Sequence, residues 1–298
     1  MSLSIHPLTT HIGAQVLDID LTGSLDDATV EAIREALDLH CVLVFPGQRF
    51  DDSSQIAFSA RFGELERTVY KAEGDGGVPI ANITNVDYRT DELFPPGHAR
   101  IKSNAGNEMW HTDSSFKPVP AYCSMLSARE VPPCGGDTQF ATCRAAYAAL
   151  SRAHKDELEG LVAEHSYAHS RSFMGDYVPP KQTLNEVPPV QHAVLRANPR
   201  TGAPNFYTGS HASHVIGWPV EKGRQLLRDL VERATAPEFV YIHKWQPFDF
   251  VIWDNRCVLH RGMPFDTEKH RRVMRRTTLA GAGSTLDEAK VGVEAVLA

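Results

Sequence analysis

The chain is poor in cysteine. Of its 298 residues only Cys41, Cys123, Cys134, Cys143 and Cys257 are cysteines, widely spaced and without a C-x-x-C pair. Such an odd, scattered set supplies neither a disulfide framework nor the spacing of a zinc site, and reads as reduced thiols in a cytoplasm. Long apolar runs are missing too: none approaches the ~18 residues that a membrane span requires. The opening MSLSIHPLTT has no basic end followed by an apolar stretch, so a soluble, unsecreted protein with no membrane partner is expected. Nor is there an excess of positive charge. Thirty Lys+Arg against 37 Asp+Glu give a net charge of -7, the wrong sign for affinity built on phosphate neutralisation, which excludes nucleic acid as the expected partner. Finally, the sequence has no G-x-G-x-x-G, no G-x-x-x-x-G-K-[ST], no G-x-S-x-G and no H-E-x-x-H. Dinucleotide, P-loop, α/β-hydrolase and zincin chemistries lose their sequence basis.

What is present is an ordinary globular composition, 42% apolar and 22% charged, on a chain long enough to bury roughly three-quarters of its unfolded surface. Short strand-like runs predominate, at 13–21, 41–45, 78–83, 109–116, 122–128, 138–141, 190–195, 205–208, 239–245, 250–254 and 272–280. Helices are expected at 24–39, introduced by Ser24 and the pair Asp26 and Asp27, and at 51–62. Others are expected at 145–164, as one helix or a pair, and at 221–235. There is neither βαβ alternation nor an internal repeat, which points to a mainly β protein with an antiparallel double-sheet core and flanking helices. We read 1–298 as one domain, with loop or lid insertions near 70–107, rich in Gly, Asp, Asn and Pro, and near 165–190.

The segment Trp110-His111-Thr112-Asp113 is the first that suggests chemistry. On a strand, residues i and i+2 share a face, so His111 and Asp113 project together. An imidazole and a carboxylate so placed offer two adjacent ligands to a metal, and a third completes the facial triad of non-haem Fe(II) sites. The best third ligand is His260, 147 residues further on, closed onto the pair by tertiary structure. Alone, H-x-D is weak evidence and reads more readily as the polar face of a surface strand. A second feature, HRRVMRRTTL at 270–279, adds weight to the metal reading. Period 2 places Arg272, Met274 and Arg276 on one face, and Arg271, Val273 and Arg275 on the other. Two inward guanidiniums are costly without anionic partners, and Arg suits the bidentate grip of a carboxylate. A dicarboxylate cosubstrate and an anionic substrate would fill that role. The competing reading, a solvated basic edge strand, accounts for one face.

Together these segments resemble the Fe(II)/2-oxoglutarate-dependent dioxygenases of the taurine dioxygenase family. The resemblance runs from VLVFPGQ (42–48) and QIAFSARFG (55–63), through WHTDSSF, SMLSAREVPPCGGDTQF and RAAYAALSR, to WDNRCVLHRG and RRVMRRTTL. The segments DELEGLVAEH (156–165) and GSHASHVIGWPV (209–220) are closer to the phenoxyacetate branch of the family than to the taurine branch. The resemblance implies a double-stranded β-helix, or jelly-roll, core. It implies His111, Asp113 and His260 as Fe(II) ligands, Thr138 and Arg272 as the grip on the distal carboxylate of 2-oxoglutarate, and Trp253 in the cosubstrate pocket. Arg276 takes the substrate's anionic group, Lys71 and Asn107 lie near that group, and His214, or His211, is a polar wall of the substrate pocket. The implied reaction consumes O2 and 2-oxoglutarate, yields succinate and CO2, and hydroxylates an aryloxyalkanoate such as 2,4-dichlorophenoxyacetate to a phenol and glyoxylate. The alternatives are a taurine or alkylsulfonate dioxygenase that releases sulfite, and a non-catalytic jelly-roll protein that binds a small anion without iron. A homo-oligomer is expected from the family. The pairs His165/His169 and His211/His214 lack a third ligand, Trp245 and Phe250 read as core, and Cys134 and Cys257 read as packing residues.

Overall fold

The computed structural model describes residues 3–69, 77–175 and 177–288. The helix Asp27–His40 begins where the acidic pair places it: the Asp26 side chain accepts from the Thr29 amide at 2.7 Å. Asp52–Ala60 starts with a reciprocal cap, Asp51 accepting from the Ser54 amide and the Ser54 hydroxyl accepting from the Asp51 amide. Both helices bury one apolar face, Val30, Ile33 and Leu37 on the first and Phe58 on the second.

That face rests on a seven-stranded sheet with the order Ser4–Pro7, Ala14–Leu17, Val42–Phe45, Phe250–Asp254, Ala121–Glu130, Val273–Ala280, Ile80–Thr84. Every neighbouring pair is antiparallel except Ala14–Leu17 with Val42–Phe45. Its central strands are buried on both sides, and the period of 2 sorts their side chains into two cores. Leu43, Phe45, Phe250 and Ile252 face the helices. Val42, Val44, Val251, Trp253, Leu126 and Met274 face the other way and meet Phe140 and Val258 from a second sheet. This second sheet has the order Val240–His243, Thr138–Thr142, Val258–Gly262, all antiparallel. Its outer face, with Ala141 and Leu259, is covered by Cys143–Ala148 and by Val220–Ala234, which buries Leu227 and Leu230.

Alternation then fixes where polar chemistry can sit. His260 follows Val258 by two residues and Thr138 precedes Phe140 by two, so both lean into the space between the sheets. Arg272 and Arg276 flank the inward Met274 and open into that same space, as the period predicts. The strand that carries Arg276 lies inside the large sheet, between Ala121–Glu130 and Ile80–Thr84, so the edge-strand reading of the basic run does not hold. The outward arginines are neutralised: Arg271 bonds Glu130 and Asp91, and Arg275 lies 3.4 Å from Asp52.

Several expectations are corrected. Residues 109–116 are not a strand: His111 makes an isolated bridge to His260, and 113–116 form a turn in which Ser114 has φ 55. The helix expected to continue to 164 gives way to the strand Val162–His165, held on both sides by Val190–Ala193 and Ala212–Val215. Tertiary pairing overrides the local pattern there. His165 ends that strand while His169 lies in the helix Tyr167–Arg171, so the two share no helix face. The loop expected at 70–107 holds a helix, Ala99–Ala105, and the short strands Val86–Asp87 and Glu92–Leu93. Cys257 is buried as expected, but Cys134 is exposed and packs no core.

Candidate active site

His111 and His260 face each other across two backbone hydrogen bonds, His111 N to His260 O at 3.1 Å and His260 N to His111 O at 2.8 Å, with ring centroids 4.1 Å apart. Asp113 joins them. Its carboxylate oxygens lie 3.9 Å from His111 Nε2 and 3.7 Å from His260 Nε2, and one ligand atom from each of the three residues falls within 4.8 Å of the others. All three side chains are buried.

The sequence logic for Asp113 reached the right residue through the wrong element. What turns its carboxylate inward is a buried amide, Asn255, at the end of the strand Phe250–Asp254. Asn255 Oδ1 accepts from the Asp113 amide at 3.1 Å and from Trp253 Nε1 at 2.9 Å, and its backbone carbonyl accepts from Thr112 Oγ1 at 2.6 Å. Its Nδ2 donates to Ser124 Oγ at 2.9 Å, and Ser124 Oγ in turn donates to Asp113 Oδ2 at 2.7 Å. Asn255 stands inside the WDNR motif, yet neither its spacing nor its residue type marked it, and Ser124 carried no signal at all. A third supporting residue is Gly209, whose φ is +137 and whose Cα approaches the histidine backbone so closely that a Cβ there would lie 3.2 Å from His111 Cα. Only glycine fits that position without strain.

The electrostatics suit a cation. Burial lowers both imidazoles, His260 more strongly, and keeps them in the neutral form that binds metals. His111 Nδ1 lies 2.7 Å from the Met109 carbonyl, so it holds the ring proton and leaves Nε2 as a lone-pair donor toward Asp113. Burial works to raise the Asp113 carboxyl, but Arg276, then the two histidines and Ser124, outweigh it and hold the group well below the usual carboxylate range. Arg276 Nη1 donates to Asp113 Oδ1 at 2.6 Å.

A cavity of about 280 Å³ opens beside the cluster, lined by His111, His260, Thr138, Trp253, Arg272, Arg276 and Asn107 among others. Arg272 is the notable wall. It has no acid in hydrogen-bond contact among the described residues, its Nε is buried without a partner, and burial pulls its pKa down to about 10 against the opposing field of Asp137. Gly136 makes room for it, because a Cβ there would stand 3.3 Å from Arg272 Cδ and Nε, and its φ of +69 suits glycine. Thr138 Oγ1 accepts from Trp245 Nε1 at 2.9 Å, so its own O–H remains available to donate. Trp245 is thus core with one polar task, while Phe250 is core only.

Of the sequence-predicted residues, the structure brings together His111, Asp113, His260, Thr138, Trp253, Arg272, Arg276 and Asn107. Lys71 lies outside the described residues. His214 is not in the cavity. On the strand Ala212–Val215 it pairs with Glu164, its ring bonded to Ser213 Oγ at 2.9 Å and 3.8 Å from the Glu164 carboxylate. The nearer histidine is His211, buried, edge-on to His111 with ring centroids 6.2 Å apart, and 3.1 Å from Ser115 Oγ.

A frame of two facing sheets that presents two histidines, an aspartate and a pair of cavity arginines defines a class. Residues 4–278 match the taurine catabolism dioxygenase TauD, TfdA family, and the chain belongs to that family. Within it the chain is 44% identical over 287 residues to the alpha-ketoglutarate-dependent 2,4-dichlorophenoxyacetate dioxygenase of Cupriavidus pinatubonensis, covering 95% of this chain and 99% of the relative. It is 42% identical over 280 residues to the enzyme of that name from Burkholderia sp. (strain RASC), covering 92% and 93%. Among solved structures it is similar to AAD-2 in complex with Mn(II) and N-oxalylglycine, with a TM-score of 0.87 and 39% identity, covering 96% of this chain and 99% of that one.

Proposed function

We propose that the chain is an Fe(II)- and 2-oxoglutarate-dependent dioxygenase that hydroxylates an aryloxyalkanoate such as 2,4-dichlorophenoxyacetate. The observation that carries this reading is the half-buried Arg272, whose Nε is enclosed without a partner and whose guanidinium is hydrogen-bonded to no acid among the described residues, sharing one cavity with the two histidines. A guanidinium so placed is stabilised by an anionic ligand. The substrate class rests on the relatives, which are named for 2,4-dichlorophenoxyacetate. Two neutral imidazoles and one carboxylate, buried and clustered, are a donor set that fits Fe(II) and leaves coordination positions open.

Bound Fe(II) supplies the activation of O2, coupled to decarboxylation of 2-oxoglutarate to succinate and CO2 and to insertion of one oxygen atom into a substrate C–H bond. The protein's own residues place the reactants. Arg272 and the free O–H of Thr138 hold the distal carboxylate of 2-oxoglutarate, with Trp253 forming the wall beside His260, their rings 4.7 Å apart. Arg276 takes the substrate carboxylate and exchanges part of its bond to Asp113 for that ion pair. The apolar side chains of Ile83, Ile101, Met263 and Phe265 face the aryl ring. Hydroxylation of the carbon between the ether oxygen and the carboxylate gives a hemiacetal, which collapses to a phenol and glyoxylate.

We read the two facing sheets as a jelly-roll core and 1–298 as one domain, because a single apolar cluster takes Val42, Leu126 and Trp253 from one sheet and Phe140 and Val258 from the other. No described helix is long and apolar enough to cross a membrane, and with five free thiols a cytoplasmic setting is the one proposed. A homo-oligomer is the proposed assembly, favoured by the exposed Phe173 and Val178, and a monomeric sedimentation mass would exclude it. The functional test is product analysis with Fe(II), 2-oxoglutarate and a panel of phenoxyacetates and alkylsulfonates. Phenol with glyoxylate is expected, and sulfite from taurine alone would move the substrate to the sulfonate class. Metal analysis separates the non-catalytic alternative, since the proposal requires one Fe(II) per chain.

A further inference from the structure

The buried residue that holds Arg272 in place belongs to a different part of the chain and has no part in the roles assigned above. Asn85, 3% exposed, sits at the break between Ile80–Thr84 and Val86–Asp87. Its Nδ2 donates to the carbonyls of Thr267 at 2.9 Å and His270 at 2.8 Å, while its Oδ1 accepts from the Arg272 amide at 2.8 Å. Its backbone also contributes, with the carbonyl accepting from the Phe94 amide at 2.9 Å. One side chain therefore ties down three backbone groups of the segment 263–272, which sends Met263, Phe265 and Thr267 into the cavity wall and ends at Arg272.

The residue type is demanding. Two donors on one nitrogen and an acceptor on the adjacent oxygen are what this loop uses, and only a primary amide has them. Aspartate would set a carboxylate against two carbonyl oxygens. Alanine would leave all three backbone groups without their partner. From the other side Arg272 is packed on Gly136, and among the described residues no acid is hydrogen-bonded to its guanidinium. Its direction is thus set by where the backbone at 272 lies.

We propose that Asn85 is a positioning residue for the cosubstrate: it folds the 263–272 segment so that Arg272 points at the distal carboxylate of 2-oxoglutarate. This rests on the assignment of Arg272 to the cosubstrate, so Arg272→Gln is measured in parallel. The experiment is calorimetric titration of the Mn(II)-loaded protein, which does not turn over, first with the metal and then with 2-oxoglutarate. Asn85→Ala is expected to weaken 2-oxoglutarate binding about tenfold, the scale of a lost set of ordering hydrogen bonds, with Mn(II) affinity within about twofold of wild type. In turnover assays the KM for 2-oxoglutarate rises while that for the aryloxyalkanoate stays. Wild-type 2-oxoglutarate affinity in Asn85→Ala, with a loss in Arg272→Gln, overturns the role of Asn85 alone. No loss in either variant overturns the assignment of Arg272 as well. Asn85→Ser, which keeps one donor, gives the same comparison in a milder form if the alanine variant fails to fold. Hydrogen exchange on the wild-type protein requires no variant: 2-oxoglutarate should slow exchange of the Arg272 amide, and an unchanged rate contradicts the coupling.

Discussion

Asn255 is the residue on which the geometry of the metal-ligand cluster most depends, and its removal has a size that the structure allows one to work out. In Asn255→Ala, the Asp113 amide and Trp253 Nε1 each lose their acceptor in a fully buried setting. Thr112 keeps the backbone carbonyl at 255, so two donors are stranded. At about 1–3 kcal/mol per unsatisfied buried group, the variant should lose roughly 2–6 kcal/mol of stability. Asn255→Asp is nearly isosteric and tests the hydrogen-bond direction. Ser124 has one hydroxyl proton, which it gives to Asp113 Oδ2 while accepting from Asn255 Nδ2. An aspartate at 255 would compete for that proton and bring a second carboxylate close to Asp113. Both variants should therefore weaken metal binding by about 10–100-fold, the usual effect of removing an outer-shell partner. Urea denaturation of the metal-free protein measures the first quantity and Mn(II) titration the second. A loss below about 1 kcal/mol together with unchanged metal affinity would show that Asn255 does not set the cluster.

Arg272→Gln should raise the KM for 2-oxoglutarate much more than that for substrate, and Arg276→Gln should do the reverse. Equal effects on both constants would mean that the two guanidiniums do not serve different carboxylates. Gly209→Ala forces a Cβ to 3.2 Å from His111 Cα at a φ of +137, so we expect about 1–3 kcal/mol of lost stability and weaker metal binding. A wild-type melting curve would refute the close approach. His192 is buried, with Nδ1 2.9 Å from Thr285 Oγ1 and Nε2 3.1 Å from the Lys117 carbonyl, and burial lowers its pKa to about 4. The unfolded chain then binds the extra proton first, so stability is full above about pH 6.5 and falls toward pH 4 by roughly 3 kcal/mol, or 2.5 units at 1.36 kcal/mol each. His192→Gln should flatten the pH dependence of stability in that window, and an unaltered slope would contradict the assignment.

The Arg272 and Arg276 pair is legible in the sequence because period 2 holds from Met274 to either side, even though Arg272 precedes the strand Val273–Ala280 and the pairing with Ala121–Glu130 shifts register between Val273 and Met274. The same rule gave His260 no face in advance but explains the one it takes, two residues beyond Val258. Asp113 is legible although 109–116 is not a strand, since hydrogen bonds to Asn255 and Ser124, 142 and 11 residues away, hold it in place. Periodicity carries no record of such contacts. His214 is assigned to the pocket wall by the family resemblance, but the pairing of Ala212–Val215 with Val162–His165 sets it against Glu164, and that strand is itself hidden in a helix-like run. Asn85 lay in a segment legible only as a loop, where composition reports turns but not which amide caps which carbonyl.

Coupled 2-oxoglutarate decarboxylation and aryloxyalkanoate hydroxylation is the activity proposed for the His111, Asp113 and His260 cluster. Its most direct test is the stoichiometry of succinate and phenol formed from 2,4-dichlorophenoxyacetate by the Fe(II)-loaded protein, beside Asp113→Ala. One succinate per phenol is expected in the wild type and neither product in the variant. Phenol formed without succinate, or equal yields from Asp113→Ala, would contradict it.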